Sequence, residues 1–175
     1  MLTKVITYYL ELTDPSAFRP ARLEFHDVAL TRVDPPAAEV NRAFYADVGR
    51  HWNWVDRADW TDERWQKYLD AGNVETWVLT CGGARAGYIE LQVQADADVE
   101  IVYLALLPGF TGRGLGGYLL TEAVARACQL GAERVWLHTC TLDDPRALGF
   151  YQSHGFGLYD REESHVDLPD CSNGP

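Results

Sequence analysis

Lys4–Leu12 (KVITYYLEL) is dense in β-branched and aromatic residues and predicts a strand. Residues 13–20 are turn-rich and form a link, so residues 1–20 read as an N-terminal strand and its connection. Val28–Val33 predicts a second, short strand. Asp34-Pro35-Pro36 then reads as a helix start, with Asp34 as N-cap and Pro35 in the first turn. Val40, Ala43, Phe44 and Val48 recur at helical spacing, and Gly49 supplies a stop. Residues 50–60 (RHWNWVDRADW) hold three Trp and a His with no clear period. Thr61 caps a second helix with Asp62 and Glu63 at its positive end and Trp65, Tyr68 and Leu69 as its buried stripe.

Three strand signals follow. Thr76–Cys81 and Ala86–Val93 flank the tight turn Gly82-Gly83, and the largely apolar Val99–Leu107 reads as a central strand. A long helix opens at Arg113 or Gly114 and runs to about Leu130. Its apolar rows, Leu115, Leu119, Ala123, Ala127 and Leu120, Val124, Cys128, make a stripe broad enough to cover a sheet. Gly131 ends that helix, and Val135–Thr139 is a further strand. Asp144-Pro145 repeats the cap device for a helix ending near His154-Gly155, and Phe156 begins a last strand that fades into the polar tail 167–175. This order predicts a mixed α/β (α+β) layer fold in one domain over 1–175, antiparallel early with one strand–helix–strand crossover late.

Composition narrows the function classes. The chain has 175 residues, one domain's worth, and buries a core without staples. Lys and Arg number 15 against 26 Asp and Glu, a net charge of −11, which argues against nucleic acid and suits a cationic partner such as an amine. Cys81, Cys128, Cys140 and Cys171 show no CxxC spacing, so no metal is expected and a reduced cytoplasm is the simplest setting. No apolar run approaches the ~20 residues of a membrane helix, and Met1–Leu12 lacks a secretory pattern.

The sharpest local signal is Phe110–Leu120 (FTGRGLGGYLL), a glycine-rich turn between an apolar strand and a helix. Gly112, Gly114, Gly116 and Gly117 keep side chains away while backbone N–H groups converge beside a helix N-terminus, an arrangement suited to a phosphate or pyrophosphate. A ligand-free turn is the plainer alternative. Gly112, Gly114 and Gly117 also fit GxGxxG, but a dinucleotide fingerprint belongs in the first strand–helix turn of a repeated unit, and no Lys-Ser/Thr pair follows for a Walker loop. A nicotinamide-dependent oxidoreductase therefore rests on glycine spacing alone.

Over Val99–Phe156 the chain resembles the GNAT superfamily of acetyltransferases. The family block Gln/Arg-x-x-Gly-x-Gly/Ala reads here Thr111-Gly112-Arg113-Gly114-Leu115-Gly116, with Thr111 in the place of Gln/Arg and Arg113 adding charge inside the loop. A second block, Asn-x-x-Ala-x-x-x-Tyr-x-x-x-Gly-Phe, reads Asp144 through Phe156, with Asp144 in the place of Asn and Tyr151 as its tyrosine. The resemblance implies a splayed, mostly antiparallel sheet with helices on both faces and a 99–156 core that binds acetyl-CoA. Pantetheine would lie where a bulged strand diverges from its neighbour, against the backbone of Leu104, Leu106 and Leu107. A backbone donor there would polarise the thioester oxygen. N–H groups of Gly112, Gly114, Leu115, Gly116 and Gly117 would hold the pyrophosphate.

The resemblance also suggests catalytic residues. Tyr151 matches the tyrosine near the CoA sulfur and would act as general acid, or else pack beside Phe150. Glu100, in a strand like the one carrying the catalytic glutamate of histone-acetylating relatives, is the candidate base. Flanked by Val99 and Ile101, it faces either the cleft or solvent. His138 relays a proton or is a satisfied strand residue. Cys140 is a small buried residue rather than an acetyl carrier, and Asp143 and Asp144 attract a cation or cap a helix. Trp52, Trp54 and Trp60, with Asp47, Asp56 and Asp59 nearby, form an acceptor-site wall suited to an ammonium or simply pack a loop. Arg57 there would repel an amine and favour a carboxylate, so an amino-acid-like acceptor fits both. The expected protein is a cytoplasmic acetyl-CoA-dependent N-acetyltransferase of small amines or amino-acid-like acceptors using direct transfer. Protein acetylation and a non-catalytic CoA-binding sensor are the alternatives. Exposed edge strands in this fold often pair, so a homodimer is one expected assembly.

Overall fold

In the computed structural model, which describes residues 2–168, a single sheet of seven strands threads the chain. The strands are β1 (Leu2–Leu12), β2 (Val28–Arg32), β3 (Val74–Cys81), β4 (Ala84–Val93), β5 (Asp98–Leu106), β6 (Arg134–Cys140) and β7 (Gly157–Asp167). The helices are α1 (Ala38–Trp52), α2 (Asp62–Leu69), α3 (Leu115–Gln129) and α4 (Ala147–Ser153). Strand order is β2-β3-β4-β5-β6-β1-β7, and every pairing is antiparallel except β5–β6, which α3 connects. Helices cover both faces. Alternation in β4 shows how: Ile89 and Leu91 join Leu115, Leu119 and Ala123 of α3 in one core, whereas Tyr88 packs with Phe44 and Val48 of α1 in another. Leu10 and Leu12 of β1 enter the α3 core, with Leu10 opposite Leu137 and Leu12 opposite Val135.

Several boundaries differ from the sequence reading for identifiable reasons. Asp34 does not cap α1. The helix begins at Ala38 after a cis Asp34–Pro35 bond, and the Ala38 N–H is capped from α2 by Gln66 Oε1 at 3.2 Å. Gly49 does not stop it either, because α1 runs to Trp52 and ends on Asn53 in the left-handed region (φ 53°). Gly49 is small for a packing reason: a Cβ there would come within 2.9 Å of Trp54 Cβ. Cys128 lies outside the buried stripe of α3 and is exposed. Asp144 sits one turn ahead of α4, where its Oδ1 accepts from Arg146 N–H (2.9 Å). The last strand, β7, is a polar edge strand of 11 residues that reaches the start of the expected tail. Most of the expected tail, with Cys171, lies outside the described residues.

Candidate active site

The site begins where the sheet opens. β5 and β6 pair only over Asp98–Glu100 and Arg134–Trp136. In β5 the register against β4 jumps from Glu90–Tyr103 to Leu91–Ile101, so Val102 is an extra residue, a bulge that bends β5 away from β6. Beyond Glu100 the two strands diverge, and a cavity of about 750 Å³ fills the gap. Leu107 does not serve it as expected: its N–H donates to Ala86 O (2.8 Å), back toward β4. Antiparallel alternation then turns the backbone groups of Leu106 and Leu104 toward the gap, which both residues line.

The glycine-rich turn closes one end. Gly112 and Gly114 take positive φ (72° and 80°), and α3 starts at Leu115. The first helical bond runs from Tyr118 N–H to Gly114 O (3.4 Å), so the N–H groups of Leu115, Gly116 and Gly117 precede it. A Cβ at Gly112 would meet nothing within 4 Å, and one at Gly116 nothing closer than 3.8 Å. Two expected members stand outside the cavity. The Leu115 side chain is a core anchor, 1% exposed, which leaves only its N–H for the expected role. Arg113 turns to Cys81 Sγ (3.7 Å) and the Phe110 ring.

Tyr151 and Asp144 line the cavity from the α4 side. Burial, and then the charge of Asp143, raise the Tyr151 phenol above its usual pKa, so the hydroxyl keeps its proton. Hydrogen bonds from Arg146 hold the Asp144 carboxyl below its usual range. At the splay point, Glu100 and His138 face each other with Oε1 and Nδ1 3.6 Å apart. Gln94 Nε2 donates to Glu100 Oε2 (2.8 Å), and Gln94 Oε1 accepts from Trp136 Nε1 (3.0 Å), so the carboxylate is oriented from behind. The facing Glu100 raises the His138 pKa above 6.5, with smaller contributions from Asp143 and Asp56. Glu100 is therefore cleft-facing, and Gln94 and Trp136 are its supports, which lacked any sequence signal. Cys140 also lines the cavity, and burial raises its thiol pKa.

The Trp-rich segment is built differently. Trp52 and Trp54 reach the cavity, but Trp54 is already engaged, its Nε1 donating to Asp143 Oδ1 (3.1 Å) and its ring 4.7 Å from Tyr103. Asp143 Oδ2 in turn accepts from Thr139 Oγ1 (2.7 Å) and Cys140 N–H (2.9 Å), tying the end of β6 down. Trp60 packs on Trp65 and Tyr68, away from the cavity. Arg57 corrects the expectation most clearly. It is 8% exposed and donates to Glu90 Oε1 (2.9 Å), and its guanidinium lies 4.5 Å from the ring centroids of both Trp60 and Tyr68. Asn41 and Tyr68 also donate to Glu90. Its charge is balanced by Glu90 inside the fold, although the residue also lines the cavity. Among the described residues, no group of three or more His, Cys, Asp or Glu side chains is placed to hold a metal ion, and no helix is long and apolar enough to cross a membrane.

Residues 39–156 match the model of the acetyltransferase (GNAT) family. An uncharacterized N-acetyltransferase of Mycobacterium tuberculosis is 34% identical over 101 residues, 58% of this chain and 64% of that protein. The chain thus spans less than two thirds of that relative. Among solved structures, a GCN5-related N-acetyltransferase from Kribbella flavida superposes with TM-score 0.60 at 19% identity, over 96% of this chain and 60% of that one. An aminoglycoside acetyltransferase from an uncultured soil metagenomic sample, in complex with sisomicin, gives 0.61 at 19% identity over 73% and 86%. At such identities the structural matches speak to the fold.

Proposed function

Because this chain belongs to the GNAT acetyltransferase family, we propose that it is an acetyl-CoA-dependent N-acetyltransferase that transfers acetyl directly to the amine of a small cationic acceptor. One observation carries the reading. β5 and β6 separate after three residue pairs, and the gap between them runs onto a turn with an open Gly112 and only ordinary contacts around Gly116. The residues present fit the donor: backbone groups of Leu104 and Leu106 for its amides, and N–H groups of Gly112–Gly117 for its diphosphate. When bound, the donor supplies an acetyl group activated as a thioester.

The chain's own groups handle the protons. Tyr151, kept protonated by burial, gives its phenolic proton to the departing sulfur. His138, more exposed than Glu100 (46% against 11% of the side chain), takes the proton of the acceptor ammonium, and Glu100 stabilises the imidazolium. Glu100 is then a positioning partner more than the base itself. Arg57 and Arg146 also line the cavity but pair with Glu90 and Asp144, so Asp56, Glu100 and Asp143 remain to favour a cation. Since Arg57 is satisfied by Glu90, the support for an acceptor carboxylate falls away, and a plain amine fits best. A cytoplasmic setting accords with Cys81, Cys128 and Cys140, all free thiols.

The test is calorimetric titration with acetyl-CoA, NAD in parallel, followed by thiol release over an amine panel. Micromolar acetyl-CoA binding with NAD silent, and release with at least one amine, is the expected result. Tyr151→Phe then lowers turnover by about a hundredfold and keeps acetyl-CoA affinity. Binding without release for any amine would assign a CoA-binding module instead, and no acetyl-CoA binding would overturn the reading.

A further inference from the structure

The link between β1 and β2 is more than a connection. It crosses from the end of α4 to the first turns of α3, and three glycines give way to it. A Cβ at Gly155 (φ +100°) would sit 2.1 Å from Ala17 O, one at Gly117 3.0 Å from Ala21 Cβ, and one at Gly114 2.3 Å from Leu23 Cδ1. Backbone bonds fix the crossing at both ends. Arg19 N–H donates to His154 O (2.9 Å), and Ala21 N–H donates to Thr121 Oγ1 on α3 (3.0 Å). Phe18 meets Phe156 edge-on, and Phe25 meets Tyr118 edge-on at 5.7 Å. The segment is a strap. Gly114 and Gly117 belong both to it and to the cavity wall, so the strap borders the cavity at its glycine-rich end.

The strap carries two cations where the fold gives them nothing to do. Arg19 and Arg22 are exposed, and among the described residues neither has a carboxylate within ion-pair distance. In a chain of net charge −11, with 26 acidic residues available, most arginines find a partner. Glu24 is the single acid between Phe18 and Phe25. We propose that the strap is part of the donor site, with Arg19 and Arg22 binding phosphates of the donor's nucleotide as it leaves the cavity beside α3. Guanidinium suits this, because its planar fork matches phosphate oxygens. The inference rests on the function proposed above and adds a cationic rim that neither glycine-containing block encodes. It also assigns Gly114 and Gly117 a second duty, room for the strap.

The experiment compares acetyl-CoA with acetyl-pantetheine, which lacks the nucleotide, on wild type, Arg19→Gln, Arg22→Gln and the double variant. Titrations run at two salt concentrations, and melting temperatures check the fold. Each single variant weakens acetyl-CoA about three- to tenfold, and the double variant about thirtyfold or more. Affinity for acetyl-pantetheine stays unchanged, and the salt dependence of acetyl-CoA binding flattens in the double variant. A double variant that binds acetyl-CoA as wild type does, or that loses both ligands equally, overturns the strap proposal alone. Wild type that fails to bind acetyl-CoA overturns the functional reading and the strap with it.

Discussion

The glycine-rich turn and the Trp-rich segment are the two stretches whose composition most resembles a ligand site, and the fold treats them in opposite ways. Around residues 112–117 backbone donors stand ahead of the first helical bond, Gly112 leaves open space, and a Cβ at Gly116 would make only ordinary contacts. Around residues 50–60 most polar and aromatic groups find internal partners, the buried Trp60 indole N–H excepted. Arg57 fills an aromatic box on a buried Glu90, Trp54 is bonded to Asp143, and Asp56 accepts from Tyr45 (3.1 Å) and Tyr103 (2.5 Å). Composition nominates both; what separates them is whether their hydrogen-bonding capacity is left over after folding.

The largest effect should come from breaking the satisfied region. Arg57→Met leaves the Glu90 carboxylate, 0% exposed, without its counter-charge and costs about 3–5 kcal/mol of stability. Urea denaturation reads that loss directly. Acetyl-CoA affinity of the protein that remains folded should stay within about threefold of wild type. A much larger loss of affinity would mean that the segment reaches the donor after all.

The mirror-image change belongs to the open region. Gly116→Glu places a carboxylate in the first turn of α3, with ordinary contacts to Phe150 and Leu106. A negative charge there suits the helix N-terminus, so the denaturation midpoint should hold or rise slightly. The same charge opposes a bound diphosphate, and acetyl-CoA affinity should fall about a hundredfold. Lost stability with retained affinity would reverse the contrast between the two regions.

The order of elements was legible because period and punctuation are local. The β-branched and aromatic run of β1, the Gly82-Gly83 hairpin and the apolar rows of α3 are each set by neighbours within a turn or two. What escaped was set by distant residues. The cap of α1 comes from Gln66, 28 positions away, and so no sequence signal at Asp34 could reveal it. β1 lies between β6 and β7, a placement that its own alternation cannot encode. The site followed the same division. Gly112, Gly114, Gly116, Gly117 and Tyr151 sit in contiguous blocks, which is why a sequence alone can nominate them. The Trp136–Gln94–Glu100 chain joins β6 and β5 through the residue that follows β4, and the burial of Arg57 depends on Glu90, 33 residues on. Leu107 and Arg113 point elsewhere than expected, the Leu107 N–H to Ala86 O and the Arg113 side chain to Cys81 Sγ.

The smallest expected effect tests whether the Glu100–His138 pair works like the open region or the closed one. Its folded-state His138 pKa lies above 6.5, raised chiefly by Glu100. A group raised on folding stabilises the protein fully below its unfolded pKa and loses that contribution as pH climbs through the folded value. The denaturation midpoint should therefore drop slightly as pH rises through that window. The drop is modest because the imidazole is half open to water, which screens the pair. Turnover should move the opposite way, since only neutral His138 accepts a proton. Glu100→Gln lowers the His138 pKa, which moves the rate step toward acid and removes most of the stability step, whereas His138→Gln removes both steps. A stability step without a matching rate step would place the pair with Arg57 and Glu90, as structure rather than catalysis.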